Sequence, residues 1–152
     1  MSKIPEIELI DYAKKKLKEM GYKKKNKRWT KVVGDFTISF LIQGSCYDKD
    51  NYYIRPGIFI NALETNLYYG HFDTELPQDS LENVFSEFEN FVKTWTNKAT
   101  VKKIILDFIE WDKRNPLEKR RAGLVDYEKD PVPSKVCFGI SETILEYILK
   151  NF

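Results

Sequence analysis

From Phe36 to Gln43 the chain alternates. Phe36, Ile38, Phe40 and Ile42 occupy every second position, and Thr37, Ser39, Leu41 and Gln43 stand between them. A period of two puts the four apolar residues on one side of an extended strand, a side that no helix can present. Such a strand has to be paired at its edges and covered on its apolar face, so this run commits the chain to a sheet with a packed layer. The run Lys27-Arg28-Trp29-Thr30-Lys31-Val32-Val33 precedes it, separated only by Gly34-Asp35. Two residues suit a hairpin, and the Gly-Asp order suits a type II′ turn better than type I′. A third strand is expected over 52–63, after the polar turn Asp48-Lys49-Asp50-Asn51. Pro56-Gly57 within it predicts a bulge or an edge position, because proline has no N–H to give a ladder. A fourth strand over 67–73 completes an antiparallel meander.

On either side the period changes to that of a helix. Over 5–20, Ile7, Ile10, Ala13 or Lys14, Leu17 and Met20 recur at three-to-four spacing, with Lys14, Lys15, Lys16 and Lys18 on the wet side. Pro5 suits the first turn of that helix and Gly21 the left-handed position past its end. After the sheet, Leu81, Val84, Phe85, Phe88, Phe91, Val92 and Trp95 form one stripe behind an Asp79 or Ser80 cap, and Asp79 with Glu82 has capping-box spacing. A further helix carries Val101, Ile104, Ile105, Phe108 and Trp111 inward and ends before Pro116; the last, over 140–151, buries Ile140, Ile144, Leu145, Ile148 and Leu149. Residues 122–135, with Gly123, Pro131 and Pro133, read as a surface loop. The expected architecture is α+β: an N-terminal helix, a four-stranded antiparallel meander, then three helices packed on one sheet face. No repeat or linker divides the 152 residues, which are enough for one core without a metal or disulfide staple, so a single domain over 1–152 is expected. No apolar run reaches the ~18–20 residues that span a bilayer, and Met-Ser-Lys-Ile at the start has no apolar signal core. With only Cys46 and Cys137, the expected compartment is the cytoplasm.

The residues offer little conventional chemistry. His71 is the single histidine, so imidazole catalysis rests on it, with Asp73 two positions on and Ser45 or Cys46 as candidate nucleophiles. Neither nucleophile sits in an elbow or cysteine-protease signature. Cys46, Cys137 and His71 have no zinc spacing, the 48–51 turn lacks the glycine and distal glutamate of a calcium loop, and the seven glycines form no phosphate cradle. No metal, no cofactor and no enzymatic activity are therefore expected.

Charge is unevenly spread. Residues 1–33 hold 11 basic and 4 acidic side chains, and residues 34–95 hold 3 basic and 10 acidic. Between Arg55 and Lys93 there is no basic residue, and five tyrosines or phenylalanines (Tyr52, Tyr53, Tyr68, Tyr69 and Phe72) stand in or beside this acidic stretch. Tyrosine anchors with flanking carboxylates suit a protein partner with a basic surface. Lys14–Lys31, with Tyr22 and Trp29 interleaved, suits nucleic acid instead, although 25 basic against 23 acidic residues overall speaks against that partner.

Gly21-Tyr22-Lys23-Lys24, Trp29, Leu41-Ile42-Gln43-Gly44-Ser45 and Tyr53-Ile54-Arg55-Pro56-Gly57-Ile58 together resemble the bacterial domain of unknown function 4304 family, over about residues 5–75. Its members have a helix ending in Gly-Phe-Lys-Lys, an aromatic strand, a Gln-x-Ser strand end and a Tyr-Ile-Asn-x-Gly-Ile strand; Arg55 and Pro56 depart from that pattern. The resemblance implies an α+β fold and no particular activity. In size and class the chain is also similar to bacterial immunity proteins, which bind and neutralise a toxin. The leading expectation is a non-enzymatic protein-binding module that occludes the active site of a cognate toxin such as a nuclease. Its surface would be formed by Glu64, Tyr68, Tyr69, Asp73, Glu75, Asp79, Glu82 and Glu87. The alternatives are a nucleic-acid-binding module using Lys14–Lys31 and a small hydrolase built on His71.

Overall fold

The computed structural model describes residues 3–63 and 67–152. The chain forms two compact units, Met1–Thr96 and Asn97–Phe152.

In the first unit, helix α1 (Glu6–Glu19) leads into strands β1 (Lys23–Lys25), β2 (Arg28–Val33), β3 (Phe36–Gly44), β4 (Tyr52–Ile60) and β5 (Phe72–Asp73), and helix α2 (Leu81–Trp95) closes it. The strands are antiparallel neighbours in the order β1-β2-β3-β4-β5. The meander thus has five strands instead of four. The additional one, Lys23-Lys24-Lys25, has no apolar alternation to betray it; its order comes from pairing Lys23, Lys24 and Lys25 with Thr30, Trp29 and Arg28. Strand β5 is shorter than the expected 67–73, and β4 ends at Ile60 instead of residue 63.

Strand β4 also runs through Pro56 without a bulge, in unbroken register with β3 (Leu41↔Arg55, Phe40↔Pro56, Ser39↔Gly57). The carbonyls of Ile54, Pro56 and Ile58 accept from Leu76, Thr74 and His71, on the side away from β3. In an antiparallel strand the N–H of a residue points the same way as its carbonyl. Proline's missing donor therefore falls on the sparse β5 side and costs the β3 ladder nothing. At the β2–β3 turn, Gly34 alone has a positive φ (57°), as a type II′ turn requires.

The register divides the sheet into two faces. Trp29, Phe36, Ile38, Phe40, Ile42, Ile54, Ile58, Ile60 and Phe72 share one of them, all buried. Helices α1 and α2 cover it: Phe40 stacks on Phe85 (5.3 Å) and meets Phe88 edge-on (4.9 Å), Phe85 also touches Tyr12, and Phe72 packs on Trp95. The buried side of α1 is Leu9, Ala13 and Leu17, whereas Ile7 is 72% exposed. Ala13 and Leu17 of the expected stripe are buried and Ile10 and Met20 are half-buried; the difference is at the first turn, where Leu9 packs in place of Ile7. Ser80 caps α2 by accepting the Asn83 N–H.

The second unit contains α3 (Lys98–Arg114), the short α4 (Leu117–Arg121), a 3-10 turn (Lys135–Gly139) and α5 (Glu142–Asn151). Its buried residues include Val101, Ile105, Phe108 and Trp111 of α3, Cys137, and Ile144 and Ile148 of α5. The Trp111 indole donates to the Asp130 carbonyl (2.9 Å), and Arg114 grips the Asp130 carboxylate through two nitrogens, which pins the 122–135 loop. No helix among the described residues is long and apolar enough to cross a membrane.

Candidate functional site

The second face of the sheet carries polar and aromatic side chains in cross-strand rows. Lys25, Arg28, Leu41 and Arg55 stand in one row, and Lys23, Thr30, Ser39, Gly57 and Asp73 in the next. Gln43 pairs with Tyr53 on one flank, and Val32, Thr37 and Phe59 lie on the other. With strands about 4.8 Å apart, Lys25 and Arg55 are about 14 Å apart along their row.

The segment 67–71 folds back across this face, and Gly57 is what lets it. A Cβ at Gly57 would stand 1.8 Å from the Tyr69 carbonyl oxygen. Two arginines then clamp the segment. Arg28 donates to the Ser39 hydroxyl (2.7 Å) and to the Tyr68 carbonyl (2.7 Å), and its guanidinium lies over the Tyr68 ring at 4.8 Å. Arg55 lies over the rings of Tyr69 (4.8 Å) and Tyr53 (5.5 Å) and pairs with Glu75 (3.6 Å). The Tyr69 hydroxyl donates to Gln43 (2.9 Å), and the Tyr68 and Tyr69 rings meet edge-on. These contacts hold tyrosines at fixed angles on the surface, a preordering that a binding face benefits from.

Three grooves mark the face and its borders. One, of about 330 Å³, is lined by Lys3, Asn51, Tyr53, Glu75, Leu76, Pro77, Gln78 and Asp79 at the β4–β5 edge. A second, of about 510 Å³, runs between Arg28, Phe59 and Tyr68. A third, of about 500 Å³, lies between the β1–β2 turn and Tyr68 and has Lys25, Lys27 and Arg28 but, among the described residues, no carboxylate in its lining.

Of the residues expected to form an acidic partner surface, Glu64 lies outside the described residues. Tyr69, Asp73 and Glu75 come together around Arg55. Burial raises the Asp73 carboxyl above its ordinary value, and the Arg55 charge acts in the opposite direction. Asp79 joins Glu75 in the β4–β5 groove, and its carboxylate is held below the ordinary value by the Asn83 side chain and the Ser80 N–H. Tyr68 is 60% exposed and belongs to the other two grooves. Glu82 and Glu87 are exposed on α2, five positions and so about 140° apart around its axis, and share no face. Tyr53 and Arg55 complete the cluster. In sequence Arg55 stands at the border of the acidic stretch; the folded chain places it among the carboxylates.

The basic segment divides as well. Lys14, Lys15 and Lys18 are exposed on α1, on the covered side of the sheet, and Lys31 donates to the Met20 carbonyl there. Lys23, Lys25 and Arg28 stand on the second face. Trp29 is buried in the core at 1% exposure. His71 is buried at 3% exposure; its Nδ1 accepts the Ile60 N–H (2.9 Å), and its ring meets Phe59 edge-on. The Ser45 hydroxyl accepts the N–H groups of Tyr47 and Asp48, and Cys46 is an exposed free thiol. Burial pushes the Cys137 thiol up to about 12. Among the described residues, no three His, Cys, Asp or Glu side chains are grouped to hold a metal ion.

An antiparallel meander with helices on one face and a tyrosine–arginine surface on the other defines a small α+β protein. The chain belongs to the family described as Domain of unknown function (DUF4304), whose model matches residues 13–152. That match takes in the helical half as well as the strands. Comparisons with curated proteins and with solved structures gave no match.

Proposed function

We propose that this chain is a non-enzymatic protein-binding module of the cytoplasm, acting as an immunity protein that covers the active site of a bacterial toxin such as a nuclease. The observation that carries the proposal is the β4–β5 edge, where Tyr53, Glu75 and Asp79 line one groove and Tyr69 and Asp73 adjoin it around Arg55. Tyrosine and arginine are the side chains most often found as binding anchors. Here they are already ordered, which reduces the entropy lost on association. Glu75 and Asp79 supply charge for lysines or arginines of the partner, and Arg55 and Lys3 set positive points beside them, so the complementary surface is basic with acceptors facing those two cations. Occlusion needs no reacting group on this chain.

The test is co-purification with the product of the adjacent gene, followed by co-expression in cells that this product kills. Binding and protection are expected, and Tyr53→Ala with Glu75→Lys should weaken binding at least tenfold in a chain with unchanged circular dichroism. A chain that neither binds nor protects overturns the proposal.

A further inference from the structure

The groove between the β1–β2 turn and Tyr68 stands apart from the β4–β5 edge in its chemistry. It is lined by Lys25, Asn26, Lys27 and Arg28 of the turn, by Leu41 to Gly44 and by Tyr68. Its cations come from a tight turn with Asn26 in the left-handed region (φ 57°). Lys25 holds no ion pair among the described residues, and Lys27 pairs only with Glu6 on the exposed surface. Arg28 is spent on position: it binds Ser39 and the Tyr68 carbonyl and lies over the Tyr68 ring. That leaves a 60%-exposed aromatic ring beside Lys25, the Glu6-paired Lys27, the Asn26 amide and the Gln43 amide, whose oxygen already accepts the Tyr69 hydroxyl.

We propose that this groove binds single-stranded nucleic acid, with Lys25 and Lys27 on phosphates, Tyr68 stacked on a base, and Asn26 and Gln43 facing base edges. An acidic peptide would satisfy the lysines but has no use for a rigid ring flanked by amides, whereas a nucleotide uses all three. Among the described residues the linings of this groove and of the edge assigned to the partner protein have no member in common, so either proposal can fail alone. Two or three phosphate contacts give a shallow salt dependence, a slope of roughly −1.4 to −2.1 in log K against log salt for a single strand.

The experiment is fluorescence anisotropy of a labelled ten-nucleotide oligo(dT) with the full chain, at two salt concentrations. Saturable binding that weakens with that slope is expected. Tyr68→Ala should weaken it roughly 5- to 150-fold, the range for one lost stacking contact, and Tyr68→Phe should retain it. Lys25→Glu with Lys27→Ala should weaken it at least tenfold. The proposal is overturned by no binding at low salt, by binding unchanged in Tyr68→Ala, or by a polyglutamate peptide that competes equally and is itself indifferent to Tyr68→Ala.

Discussion

Replacing Gly57 with alanine tests whether the 67–71 segment lies across the second face as described. The added Cβ would stand 1.8 Å from the Tyr69 carbonyl oxygen and 3.0 Å from its carbon, where ordinary contact begins near 3.4 Å. The backbone at Tyr69 must therefore retreat by about 1.6 Å. That movement strains the Arg28–Tyr68 carbonyl bond (2.7 Å), the Tyr69–Gln43 bond (2.9 Å) and the His71–Ile58 backbone bond (2.9 Å). A bond to a charged group contributes about 1.5–3 kcal/mol and a neutral one about 0.5–1.5 kcal/mol, and these sites recover part of that from water. The net loss is on the order of 2–4 kcal/mol, which lowers the melting temperature of a chain this size by about 4–16 °C. The assay is denaturant and thermal unfolding alongside hydrogen exchange at the His71 amide, whose protection should fall. Gly44→Ala, where a Cβ meets nothing within 4 Å, is the control and should leave the midpoint within about 0.5 kcal/mol. A Gly57→Ala chain as stable as the parent, with His71 equally protected, would refute the close approach and the clamp built on it.

Phe40→Ala removes the ring that Phe85 and Phe88 pack on and should cost about 3–5 kcal/mol by chemical denaturation. In the native chain one thiol, Cys46, should react quickly with a maleimide; Cys137, buried with its thiol pushed up to about 12, should react only in denaturant. Because Asp79 titrates below its ordinary 3.8 when folded, the unfolded chain takes up that proton first as pH falls. Its stabilisation is present above the ordinary value and lost as pH drops through the folded one. In unfolding midpoints measured across pH, the gap between the parent and Asp79→Asn should be constant near neutrality and close on the acid limb.

The parts of this fold that were legible in the sequence are those written in hydrophobic period. The β2–β3 hairpin, its Gly34 turn and the α2 stripe follow from alternation and spacing alone. Strand β1 was not legible, because three lysines at a sheet edge carry no pattern; edge position and charge are also what keep such a strand from pairing with another chain. The buried side of α1 agrees with its spacing at Ala13 and Leu17 and differs at the first turn, because Ile7 and Leu9 both lead by helical steps into those two residues and only Leu9 packs. For the candidate site, the tyrosines and acids of 68–79 were visible as composition, whereas their grouping around Arg55 depends on a glycine whose missing side chain admits a neighbouring backbone. Pro56-Gly57 predicts a bulge or an edge position; which way the absent N–H of Pro56 points is a matter of register, and no local signal encodes it.

The most direct measurement is an amide chemical-shift map of the isotope-labelled chain with and without the product of the adjacent gene. Shifts gathered at Tyr53, Tyr69, Asp73, Glu75 and Asp79 are the expected result. Shifts confined to the α1 lysines or to the second unit, or no change at saturating concentration, would contradict the assignment of the β4–β5 edge as the protein-binding surface.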